Sequence, residues 1–253
     1  MESSTAFVLL DSPTKITGST ICQTLKARHP EQPLIDLPGG GDKGPIILNF
    51  AGAMIAVMQI DVPLPSGWED VASRAALYWP EATAIFSRHR AHLVVSPMGG
   101  SESPLQTARA LTAAIGAIVA SEPQCSGIVW NSTVANSSEV VADLSQYAFA
   151  PYPDFPTALW VSRNPFRALP SAGVLTLGLQ RFIGREIEIM GNASQLEELL
   201  TTTDSLIAYF LERGGNVRDG DTFGISETEK IPMHLVESRR FNGWPVISIR
   251  LPS

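Results

Sequence analysis

The sequence predicts an α+β fold: two ferredoxin-like α/β halves with mostly antiparallel sheets, packed as one body. Three observations lead there. The apolar runs Ile46 to Phe50 and Met54 to Val62 are separated only by Ala51-Gly52 and a residue or two, the spacing of an antiparallel hairpin. Helical stretches interleave with such hairpins rather than alternating one strand with one helix. A doubly wound parallel sheet, the competing architecture, needs a crossover helix between Phe50 and Met54, where there is no room for one. Finally, 253 residues at ~150 per domain is room for one large domain or two small ones.

In chain order, Ala6 to Leu10 is a short buried strand that ends at Asp11 and Pro13. Thr17 to His29 carries Ile21, Cys22 and Leu25 on one face of a helix with Thr17 or Ser19 as N-cap, stopped by Pro30 and Pro33. The loop from Leu37 to Pro45 leads into the hairpin. Trp68 to Phe86 reads as one helix, His92 to Ser96 as a strand, Pro97 to Gly100 as a turn, and Pro104 to Ala120 as an alanine-rich helix. Ser126 to Asn131 is a further strand and Ser138 to Gln146 a short helix. The proline-spaced loop Pro151-Tyr-Pro-Asp-Phe-Pro156 punctuates the chain. We therefore divide the sequence into an N-terminal half, 1–135, and a C-terminal half, 136–253, joined over 136–156. Beyond the loop, strands are expected at Leu159 to Ser162, Gly173 to Leu179, Ile187 to Met190, Met233 to Val236 and Val246 to Leu251. The clearest helix runs from Ser194 or Gln195 to Arg213, with Leu196, Leu199, Leu200, Leu206, Ile207, Phe210 and Leu211 as its apolar set. Gly214-Gly215 ends it, and Arg213 suits the negative end of its dipole.

Composition excludes several classes of partner. With 18 basic and 25 acidic residues the net charge is −7, the wrong sign for neutralising a nucleic-acid backbone or binding an anionic membrane. Hydrophobic residues at 44% and charged residues at 17% describe a packed chain, not a disordered one. No apolar run approaches the ~20 residues of a membrane span, and Met1 to Asp11 has no basic n-region, so the expected location is cytoplasmic. Two cysteines, Cys22 and Cys125, are too few for a disulfide framework or a zinc knuckle and are expected as buried thiols.

Motifs for chemistry are incomplete. Gly39-Gly-Gly-Asp-Lys-Gly44 lacks the spacing of a phosphate loop, because Lys43 is followed by glycine, proline and a strand rather than by a helix. Gly99-Gly100-Ser101 is not a nucleophile elbow, and Ser101 reads as an N-cap. His89 and His92, three residues apart, would share a helical face and are candidates for metal ligation or acid–base work; at a helix-to-strand junction the expectation is a helix-end cap and a hydrogen-bonded strand-start side chain. In Gly184-Arg-Glu-Ile-Glu-Ile189, strand alternation puts Glu186 and Glu188 on one side and Ile187 and Ile189 on the other. Such a carboxylate pair can serve as acid and base or hold a cation, yet a solvated strand face is the expectation. Arg218-Asp-Gly-Asp-Thr-Phe-Gly224 has the Asp-x-Asp of a calcium loop without its later ligands, which favours a tight turn held by Asp side chains. No cofactor or metal is assigned. Of the five tryptophans, some belong to the core, and tryptophan is also a frequent interface anchor.

In combination, Gly173-Val-Leu-Thr-Leu-Gly-Leu179, Phe182, Gly184 to Glu188, Ala208-Tyr-Phe-Leu211, Asp219 to Gly224 and Ser226-Glu-Thr-Glu-Lys230 resemble the bacterial domain-of-unknown-function family 4261. Trp79 and Ala91 to Ser96 extend the resemblance upstream, so that it covers most of the chain. The family has no established activity. The resemblance implies a cytoplasmic bacterial protein, with some members associated with toxin or secretion-system gene clusters, and it places His92, Glu186, Glu188, Asp219, Asp221 and Gly224 at motif positions.

Two functions follow as expectations. The first is a non-catalytic protein that binds another protein, basic in character, as an immunity protein or adaptor does; Trp79, Asp219 and Asp221 are its candidate binding residues, and acidic charge suits a basic partner. The alternative is a metal-dependent or acid/base hydrolase using His89 or His92 with Glu186, Glu188, Asp219 or Asp221 from the C-terminal half.

Overall fold

The computed structural model describes residues 4–35, 44–99, 103–224 and 230–252. Most of the glycine-rich loop, Ser101, and most of the run 226–230 lie outside these residues. The chain divides into two compact units, Met1–Ala150 and Pro151–Ser253.

The first unit runs β1 (Ala6–Leu10), α1 (Gly18–Arg28), β2 (Leu34–Ile35), β3 (Ile46–Phe50), β4 (Ala53–Ile60), α2 (Glu69–Ala75), α3 (Ala82–Arg88), β5 (Ala91–Met98), α4 (Pro104–Ser121), β6 (Cys125–Trp130), β7 (Val134–Ser137) and α5 (Ser138–Leu144). Its sheet has the order β2-β3-β4-β5-β1-β6-β7, antiparallel throughout. Within it, β1, β4, β5 and β6, linked through α1 and α4, reproduce the 4-1-3-2 strand order of a ferredoxin-like core. Thr17 caps α1 by accepting from the Thr20 N–H, while Lys26 and Arg28 sit in its last turn, where the dipole favours cations. Ser103, followed by Pro104 at the first helical position, caps α4. From 108 to 118, where six of eleven residues are alanine or glycine, all of α4 but Arg109 is buried, so this stretch has no continuous polar stripe.

Three sequence expectations change. The stretch from Trp68 to Phe86 is two short helices rather than one, because Pro80 supplies no N–H and its ring collides with the preceding turn. The boundary also moves. Residues 134–137 pair with β6 as the edge strand β7, and α5 packs on β6 and β7. The segment 136–150 therefore belongs with the first unit, and the division falls at Ala150/Pro151. Of the two cysteines, Cys125 is buried and Cys22 half-buried, and they form no disulfide.

The second unit comprises β8 (Ser162–Ala168), β9 (Ser171–Leu177), α6 (Gln180–Ile183), β10 (Glu186–Asn192), α7 (Leu196–Arg213), β11 (Thr222–Gly224), β12 (Lys230–Glu237) and β13 (Pro245–Arg250). Its sheet, ordered β11-β12-β13-β10-β9-β8, is antiparallel except for the central pair β10/β13. That parallel pair departs from the ferredoxin-like order, since α7 carries the chain across the sheet from β10 to the β11–β13 edge. Leu159 to Ser162 is not a strand: Thr157–Leu159 is a 3₁₀ turn, and the strand begins at Ser162. Trp160 and Val161 are fully buried, so the apolar run carries no alternation to read. Pro165 lies inside β8, which is tolerated because β8 is an edge strand. Among the described residues no helix is long and apolar enough to cross a membrane.

Candidate functional site

Both candidate histidines are occupied in holding backbone. His89 ends α3, where its Nδ1–H donates to the Phe86 carbonyl at 2.7 Å and its Nε2 accepts from the Leu64 N–H at 2.8 Å. A carbonyl can only accept and an amide can only donate, so these partners fix the neutral Nδ1–H tautomer. His92, on β5, donates through Nδ1 to the Val62 carbonyl at 2.8 Å, and burial holds its ring below the usual imidazole range. Together they pin the connection between β4 and α2, placing Leu64 in the core with Val71, Trp79 and Ile85. With both ring nitrogens engaged, His89 has no lone pair left for a metal. Substituting His89→Ala strands a buried N–H and a carbonyl, and is expected to lower unfolding free energy by about 2–4 kcal/mol in urea denaturation. A loss under about 0.5 kcal/mol contradicts this role.

Glu186 and Glu188 are buried rather than solvated, at 3% and 7% exposure, because residues 178–180 fold back onto the first and Ser238 and Arg240 onto the second. Glu186 accepts from the Thr176 hydroxyl at 2.6 Å and from the backbone N–H groups of Gly178, Leu179 and Gln180 at 2.8, 3.1 and 3.2 Å. It thereby ties the chain reversal from β9 through α6 to β10. Burial pushes this carboxyl up to about 7, against the pull of its four donors toward the charged form. Glu188 secures a second reversal. It accepts from the Ser238 hydroxyl at 2.6 Å, and Ser238 Oγ in turn accepts from the Arg240 and Phe241 N–H groups. The Arg240 guanidinium lies 3.7 Å from Glu188 and 5.4 Å over the Phe166 ring.

Asp219 and Asp221 organise the turn into β11. Asp221 Oδ2 accepts from the Arg218 N–H and Asp219 Oδ1 from the Leu235 N–H, each at 2.8 Å. Gly220, at φ +84°, makes the bulge in which Gly220 and Asp221 together face Met233. Trp79 is core, at 8% exposure, with its indole lying on Gly127. Among the described residues no three His, Cys, Asp or Glu side chains gather as a metal site. The Cys125 thiol, pushed up to about 12 by burial, is a poor nucleophile at neutral pH.

What the sequence did not single out is a groove of about 970 Å³ in the second unit. One wall is the row Glu197, Thr201, Ser205 and Tyr209, spaced i, i+4 along the exposed side of α7, with Glu198 beside it. The other wall is the edge strand β11, and Met233 and Tyr152 complete the lining with the residues at the start of α7. Tyr209 meets Phe223 edge to face at 6.3 Å. Among the described residues, Glu197 and Glu198 are the carboxylates of the lining, and no lysine, arginine or histidine joins them. The available signal was a tyrosine on the otherwise polar face of an amphipathic helix, at the end of a four-residue spacing.

Fold and groove together define an α+β protein whose second unit carries an acidic, aromatic-lined trough beside an edge strand. Residues 175–250 match the family described as "Domain of unknown function (DUF4261)", which bears out the family resemblance over that segment. Trp79 and His92, which the resemblance also enlisted, lie outside the matched residues. No curated protein and no solved structure matches the chain.

Proposed function

We propose that the protein is a non-catalytic binding protein that takes a basic protein partner at the groove between α7 and β11. The carrying observation is the lining: its charged side chains among the described residues are Glu197 and Glu198, set among Tyr152, Tyr209 and Phe223, and nearly all of it falls within the family-matched residues. Rings beside carboxylates suit lysine and arginine, whose stems lie on the aromatic surface while their charges meet the acids. A net charge of −7 acts in the same direction by speeding encounter with a basic protein. The hydrolase alternative asks for acid–base groups free to act, whereas His89 and Glu186 engage their polar atoms with backbone. An immunity protein or adaptor for a secreted toxin or secretion system, working in a bacterial cytoplasm, is the concrete form of this function.

Purification of the tagged protein from its host at ~0.1 M salt is expected to retain a positively charged protein that ~1 M salt releases, since screening shortens from about 10 to about 3 Å. The Glu197→Gln/Glu198→Gln variant is expected to retain about a tenth as much. A partner that is acidic, or one held equally by wild type and variant, overturns the proposal, as does the absence of any partner.

A further inference from the structure

The groove has an open strand edge along one wall. Strand β11 is the outermost of its sheet, and among the described residues nothing pairs with its outer side. Which of its backbone groups face outward follows from the ladder. The Met233 N–H donates to the Asp221 carbonyl at 2.7 Å, and the Met233 carbonyl accepts from the Gly220 N–H at 2.9 Å. Antiparallel bonding alternates along a strand. Inward bonds thus fall at Asp221 and Phe223, which is opposite Ile231, while Thr222 and Gly224 present N–H and carbonyl to the outside. Pro232, opposite Thr222, fits this register because it stands where no bond toward β11 is made.

We infer that the groove takes its partner as an extended, lysine- or arginine-bearing segment added to β11 as a further strand, which rests on the binding function proposed above. Thr222 and Gly224 supply up to four main-chain hydrogen bonds, which a polypeptide matches and a small cation does not. Alternate side chains of the added strand face the α7 wall, where Glu197 and Glu198 select for positive charge and Tyr209, Phe223 and Tyr152 receive the alkyl stems. Three residues of edge are short, so the backbone bonds fix orientation and register, and the carboxylates and rings provide selectivity. Glu197 and Glu198 also complement the positive N-terminal end of α7, and the groove uses that same pair of charges.

The test uses the full chain and fluorescein-labelled octapeptides of alternating lysine and threonine, followed by anisotropy. The plain peptide is expected to bind, and its glutamate–threonine counterpart is not. Backbone N-methylation of one alternate set of residues is expected to weaken binding by at least about tenfold, with methylation of the other set changing it less than about twofold, because only every second N–H faces β11. Thr222→Pro, which deletes an outward N–H without removing a ladder bond, is expected to weaken binding about tenfold at unchanged melting temperature. If the plain peptide binds but both methylated sets behave alike, or Thr222→Pro binds as wild type, strand addition is wrong and the binding function stands. If neither lysine peptide nor a host partner binds, both are wrong.

Discussion

Glu186→Ala is expected to destabilise the fold by about 4 kcal/mol near pH 5, because it leaves the Thr176 hydroxyl and three backbone N–H groups without the acceptor they share. Most single substitutions cost ~1 kcal/mol, so this lies in the tail reserved for buried polar networks. The cost is also expected to depend on pH. The native carboxyl titrates at about 7 against an ordinary 4.5, so between those values the folded protein holds a proton that the unfolded chain has released. Stability contributed by the protonated group is then complete below about 4.5 and is lost as pH rises through about 7. That gap corresponds to roughly 3 kcal/mol. Urea denaturation of wild type and Glu186→Ala at pH 5 and pH 8 should therefore show the difference between them shrinking at the higher pH. A difference that stays constant or grows would mean that the four donors outweigh burial and keep the carboxylate charged throughout.

The same carboxylate shows where sequence runs short. Alternation in Gly184 to Ile189 identified a strand correctly, yet it could not say that distant turns, at 178–180 and 238–240, would fold over that face and turn a solvated Glu pair into a buried one. Helix α7 was legible almost to the residue, because an apolar stripe of period 3.6 and a Gly-Gly stop are local signals. The groove beside it was not, since its polar row looks like any solvated helix face until β11 is brought opposite. Its position depends on pairing between Thr222–Gly224 and Lys230–Ile231–Pro232, a relation between segments rather than a pattern within one. The proline effects divide the same way. Pro80 breaks a helix by local sterics, whereas Pro165 is permitted in β8 only because no further strand pairs there among the described residues. His89 and His92 had a legible spacing, but the partners that commit them, Leu64 and Val62, come from a loop 25 and 30 residues away.

Gly127→Ala is expected to cost about 2–3 kcal/mol, the range for adding a methyl group to a filled core. A Cβ at 127 would run into Cη2, Cζ2 and Cζ3 of the Trp79 indole. Relief by backbone movement is restricted, because β6 is bonded to β1 on one side and β7 on the other. Relief by the ring is restricted too, since Trp79 packs among Leu9, Val71, Ala75, Ala82, Ile85 and Val129. Alanine is favoured over glycine in a strand by ~0.5–1 kcal/mol through backbone entropy, and overpacking exceeds that gain. Trp79→Leu alone is expected to cost about 3 kcal/mol through the space it vacates, yet the double variant should lose about 1–2 kcal/mol less than the sum, because the new methyl enters that space. Strict additivity in guanidinium denaturation would show that the ring and the glycine do not press on each other. The cycle also tests the core placement of Trp79 against the interface role expected from sequence. An interface anchor, when truncated, loses partner binding and leaves the fold intact; a core ring loses stability first, and capture of a basic partner by the still-folded fraction should be unchanged.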